Sequence, residues 1–163
     1  MIAQEPIQSA ARTLLTALGL YGRNVVPLTL LSLVPALARV ALFLQLPWLS
    51  RAWPGVMEAV VGIFRLALFY VAFRLVWPEG LAGLQVGAGS PWKIRIARPE
   101  IFWQLVLLAA VPLVLNLAAA FIARSVTPQP RLEAAINFAL KNLLVIPLWM
   151  VQLLVVIRRV LQG

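Results

Sequence analysis

The chain contains no cysteine and no histidine. Without thiols there is no disulfide, no thiolate metal site and no cysteine nucleophile. Without imidazole it lacks the usual general base at neutral pH and the commonest metal ligand. Aspartate is missing too, so the five acids are all glutamates: Glu5, Glu58, Glu79, Glu100 and Glu133. They are dispersed and form no ligand cluster of the kind metals require. The hydroxyls of Ser32, Ser90 and Tyr70 have no activating base near them in sequence. A single Glu58 of raised pKa could move a proton, but one glutamate among arginines reads first as a structural ion pair. The glycine-rich stretch GLAGLQVGAGS lacks the Gly-Lys-Ser or Gly-Lys-Thr of a phosphate-binding loop, and Lys93 is out of position for one. These absences argue against an enzyme and imply neither a cofactor nor a metal.

What the chain has instead is apolar sequence. It is 63% hydrophobic over 163 residues, where soluble domains average ~45–50%. The segment Ile101–Ala123, IFWQLVLLAAVPLVLNLAAAFIA, holds no charge at all. A hydrocarbon layer of ~30 Å needs ~20 apolar helical residues, which this segment supplies. The fold class that follows is an all-α integral membrane protein. We expect four transmembrane helices plus an N-terminal amphipathic interfacial helix, in one polytopic membrane domain over 1–163.

In chain order, residues 7–22 carry Ile7, Ala11, Leu14, Leu15 and Leu18 at helical spacing, with Gln8, Arg12, Thr16 and Gly19 opposite. That pattern suits a helix lying in the membrane interface, steered by Arg12 and Arg23. The leader MIAQEP has no basic region, so no cleaved signal peptide is expected. Spans are expected at about 25–49, 56–77, 101–123 and 132–157. The first is interrupted by Pro27, Pro35 and Arg39, and residues 42–49 could either span or lie along the interface. Residues 79–99 form a basic loop containing Lys93, Arg95 and Arg98. A shift of 85 residues aligns Val26-Pro27-Leu28, Arg39 and Arg74 with Val111-Pro112-Leu113, Arg124 and Arg159, the trace of a possible two-fold repeat.

The net charge is +9. Most cations flank apolar runs, so anionic headgroups of the bilayer, not nucleic acid, are the expected counter-charge. The expected headgroup contacts are Arg12, Arg23, Lys93, Arg95, Arg98, Arg158 and Arg159. An even number of spans puts both termini on one side. That side collects eight Lys and Arg against three on the other, which predicts cytoplasmic termini in a bacterial cytoplasmic membrane.

Each span also carries a small or polar stripe: Ser32, Pro35 and Arg39 on the first, Glu58, Gly62 and Arg65 on the second, Ala109, Pro112, Asn116, Ala120 and Ala123 on the third, and Asn137, Lys141 and Gln152 on the fourth. The four are expected to converge on the bundle interior. The candidate intramembrane contacts are Arg39, Glu58, Arg65, Asn116, Asn137 and Lys141. A charge at the bilayer centre costs ~2.5–3.5 kcal/mol on insertion scales. Glu58 is expected at the depth of Arg39 and can pair with it, which leaves Arg65 and Lys141 without a counter-charge. Snorkelling toward headgroups would relieve them without any function. The functional expectation is a non-catalytic membrane subunit associating with itself or with a partner membrane protein, in a transport setting. The alternative is a transporter or channel binding anionic lipid or a small anion.

Overall fold

The computed structural model describes residues 4–44, 54–80 and 99–162. Every extended element among them is a helix. The order is α1 (Gln4–Arg23), α2 (Val25–Phe43), α3 (Pro54–Val76), α4 (Pro99–Val126), α5 (Pro130–Leu140), a π-helical turn (Lys141–Val145) and α6 (Ile146–Gln162). The segment from α5 to α6 is continuous, so four helices are long and apolar enough to cross a membrane. The expected spans thus form, with boundaries shifted by a few residues. Whether 45–49 prolongs the first span lies outside the described residues, as do Lys93, Arg95 and Arg98.

Proline punctuates this chain. Three helices begin on one, Pro54, Pro99 and Pro130, where the missing N–H would have had no helical partner anyway. Pro27 sits in the first turn of α2, just after the one-residue break at Asn24. The Asn24 amide side chain donates to the Leu20 carbonyl (2.9 Å) and so covers one of the open carbonyls at the end of α1. Pro112 instead lies inside α4, which continues through it. Positions 27 and 112 therefore differ in their place within a helix.

Pro147 has a larger effect. A proline ring clashes with the carbonyl four residues earlier and removes a ladder hydrogen bond. Here the ladder widens just before it. The Ile146 N–H reaches back five residues to the Lys141 carbonyl, and Lys141–Val145 forms a π turn. Such turns re-satisfy backbone groups disturbed by proline in membrane helices. Asn142 assists by donating its side-chain amide to the Phe138 carbonyl at 2.8 Å.

The long final helix is the hub. Half of its apolar window is buried, against 6% for α4. It packs on α2, α4 and, through α6, on α1 and α3. α2 pairs with α3, and α1 lies across α4 and α6. The core joins Ala17, Leu28, Leu68, Val76, Trp77, Val151 and Leu154. Trp77 stacks on Phe73 with centroids 4.9 Å apart. After α3, Gly80 turns the chain in the left-handed region at φ 65°, a conformation that favours glycine.

The outcome for α1 has a clear physical reading. Its buried residues are Pro6, Ala10, Thr13 and Ala17, which recur at three- and four-residue steps. These small side chains let α1 approach the bundle closely. Ile7, Leu15 and Leu18 stay exposed on an adjoining face, and Gln8, Arg12, Thr16 and Gly19 form a third face, also exposed. The helix thus offers one face to protein, one apolar face to its surroundings and one polar face. Three faces of this kind are what a helix at the membrane interface needs.

A cationic slot between two spanning helices

Among the described residues, α3 and α4 share little direct packing. Between them the final helix forms a floor, and the space above it is a cavity of about 350 Å³. Arg65 comes from α3, and Pro112 and Asn116 from α4. The floor carries Phe138, Lys141, Asn142, Val145, Ile146 and Trp149. A second cavity of about 420 Å³ adjoins it, lined by Arg39, Leu42, Phe43, Arg65 and Phe138. Arg65 and Phe138 border both cavities. Phe43 meets Phe138 with ring centroids 4.8 Å apart, where α2 touches the floor.

The levels of these residues follow from helix arithmetic. Consecutive spans alternate in direction, so α3 and α5 run the same way. Arg65 stands eleven residues after Pro54, and Lys141 eleven after Pro130. Asn116 stands ten before the end of α4 at Val126. At ~1.5 Å per residue, all three lie ~15–16 Å from the same end, close to the middle of a ~30 Å hydrocarbon layer. Arg65 is exposed into this space, while Lys141 and Asn116 are half-buried.

Arg39 and Glu58 lie nearer that same end, each four residues from a helix terminus. They form the ion pair that equal depth permits. Arg39 Nη2 is 3.0 Å from Glu58 Oε1 and 3.1 Å from Oε2. Their side chains are 30% and 55% exposed, so water and headgroups screen the pair. A second ion pair, Arg124 Nε to Glu133 Oε1 at 3.0 Å, clips the turn between α4 and α5. It was not anticipated from the sequence, although a cation and an acid flanking a proline turn were a usable signal.

No acid reaches the slot. All five glutamates are among the described residues. Glu58 and Glu133 are paired, and Glu5, Glu79 and Glu100 sit at or just beyond helix ends. Neither Arg65 nor Lys141 has an ion pair among the described residues.

Other expectations need correcting. The stripe Glu58, Gly62, Arg65 does not face the bundle interior. The buried face of α3 is Val61, Leu68, Ala72 and Val76. In so small a bundle the interior is filled by apolar side chains, and the charged stripe is turned to the edge, where it lines the slot. Ser32, Pro35 and Gln152 are buried as expected. Asn137 reaches neither cavity, and its Oδ1 is buried without a hydrogen-bond partner among the described residues. Of the expected headgroup contacts, Arg12 and Arg23 are exposed. Arg158 and Arg159 also make contacts within the protein. Arg158 donates to the Val76 carbonyl, a cation capping the C-terminal end of α3. Arg159 donates to the Ser9 carbonyl at 3.1 Å and to the Thr13 hydroxyl, tying α1 to α6.

Sequence reasoning missed Asn142 and Trp149 as slot residues. A π turn shifts the helical phase after Lys141, so a regular wheel cannot place them. Outside the spans, burial raises the Tyr21 phenol above its ordinary value, partly opposed by the Thr29 hydroxyl. It stays protonated at neutral pH and adds no charge to the termini end. No group of three or more potential metal ligands occurs among the described residues. Comparison of the chain with protein-family models, with curated proteins and with solved structures finds no match.

Proposed function

We propose that this is a non-catalytic integral membrane subunit that joins its partner through the slot between α3 and α4. One observation carries the reading. Arg65 and Lys141 share a mid-span cavity, and no glutamate of the chain lies at that level. An unpaired charge at that depth is costly, and the cost falls when a second molecule brings the missing acid. The orientation that goes with this reading has both termini in the cytoplasm, from the eight-to-three Lys and Arg bias. Native mass spectrometry of the protein, gently extracted from its own membrane, tests the proposal. A copurifying protein chain or a defined homo-oligomer supports it. A monomer, bare or carrying lipid only, overturns it.

A second reading has its own observation. The two cavities share Arg65 and Phe138, so Arg39, Arg65 and Lys141 follow one another from one helix end to mid-span. A track of this kind suits an anionic solute or headgroup. That reading requires Arg65→Gln to abolish binding of the anion while leaving any assembly intact.

A further inference from the structure

We infer that the occupant of the slot is a transmembrane helix of a different protein, with an aspartate or glutamate near the middle of its span. This rests on the subunit reading and names the partner's chemistry. Three arguments select the occupant.

The first is depth. Arg65 and Lys141 are ~16 Å from the helix ends, while lipid phosphates lie at the edge of the hydrocarbon layer, ~15 Å from its centre. A headgroup phosphate would have to leave its own level to meet them. A side chain on a spanning helix is already there.

The second is self-complementarity, which fails. A second copy would have to supply an acid at mid-span. Glu58 lies four residues into α3 and is held by Arg39. Glu5, Glu79, Glu100 and Glu133 lie at or near helix ends. No glutamate of another copy matches the level of Arg65 and Lys141 when two copies lie side by side in one bilayer.

The third is the form and lining of the slot. It runs between two helices that share little direct packing, which leaves its flank uncovered by the described helices. Its walls are mostly apolar: Pro112, Phe138, Val145, Ile146 and Trp149. The polar groups sit at one level only. That is the complement of an apolar helix with one acid. Asn116 lines the cavity and supplies an amide donor for the carboxylate beside the two cations.

The test uses the full chain in phosphatidylcholine vesicles and synthetic polyleucine helices as probes, with binding read by energy transfer. One probe carries a central aspartate, one carries the aspartate near its end, and one is all leucine. The central-aspartate probe is expected to bind about tenfold more tightly than the all-leucine probe, in line with polar contacts between helices in lipid. The double variant Arg65→Leu/Lys141→Leu is expected to erase the difference, and Arg65→Lys/Lys141→Arg to keep it. Arg124→Gln, which lies outside both cavities, controls for the loss of a cation elsewhere and is expected to keep the preference.

Equal binding of the central-aspartate and all-leucine probes overturns the inference, as does an unchanged preference in the double leucine variant. Energy transfer between two labelled copies of the full chain that is lost in the double leucine variant points to a second copy. Displacement by phosphatidylglycerol points to a headgroup. Either result also overturns it. The subunit reading fails separately, if native extraction yields a monomer. A copurifying chain together with indifferent probes would leave that reading standing and sink this one.

Discussion

Arg65 and Lys141 face one cavity from two helices that run in the same direction, each eleven residues from its helix start. They are like charges at one level, with no acid at that level to separate them. In an isolated protein this arrangement is unfavourable. Arg65→Leu is therefore expected to stabilise the purified protein by ~1–3 kcal/mol, the insertion cost of the charge less what snorkelling recovers. The same change should weaken association with whatever fills the slot. Reversible unfolding in bicelles, run beside copurification from the native membrane, checks both directions. Loss of stability in Arg65→Leu would mean that the guanidinium is already satisfied within the chain.

Arg159 holds α1 through the Ser9 carbonyl and the Thr13 hydroxyl. Arg159→Ala removes a charged donor from both, a loss of ~1–3 kcal/mol. The effect should be local. Hydrogen exchange should rise over residues 4–23, while the core around Trp77 and Leu154 stays protected. Thr13→Val should give a smaller effect of the same kind.

Asn142 supports the π turn by bonding the Phe138 carbonyl. Asn142→Ala is expected to destabilise the protein by ~0.5–1.5 kcal/mol, because the Phe138 carbonyl loses one of its hydrogen bonds. Exchange should quicken within 141–146 in particular. It should also reduce slot binding, since the turn sets how Lys141 faces α3.

The Arg39–Glu58 pair should contribute little. Its partial exposure places it with screened ion pairs, where coupling is ~0–1 kcal/mol. A double-mutant cycle with Arg39→Gln and Glu58→Gln measures it. A coupling well above that range would show that the pair is drier in the bilayer than its exposure suggests.

Ala17 is fully buried where α1 meets the core. Ala17→Leu should cost ~1–3 kcal/mol by overpacking and lift α1 from the bundle. Leu15→Ala, at a residue 66% exposed, should leave the fold intact and weaken only the hold of α1 on a membrane surface. Limited proteolysis in vesicles separates the two effects.

Much of this molecule was legible as sequence because a bilayer is a demanding solvent. Backbone groups within it must be satisfied internally, so a charge-free run such as Ile101–Ala123 can only be a helix. The four spans, the amphipathic α1 and the common depth of Arg39 and Glu58 follow from length and counting alone. So does the lack of an acid to meet Arg65 and Lys141. Tertiary structure decided which faces meet. Hydropathy cannot tell a lipid-facing leucine from a core leucine, so the inward face of α1 was hidden in small residues, Ala10, Thr13 and Ala17. The polar stripe of α3 turned to the edge because apolar side chains fill the interior. Pro147 widened the helix into a π turn and changed the phase that any helical wheel assumes. The slot exists because, among the described residues, α3 and α4 pack far more on the final helix than on each other. That is a relation between distant segments, and no local pattern encodes it.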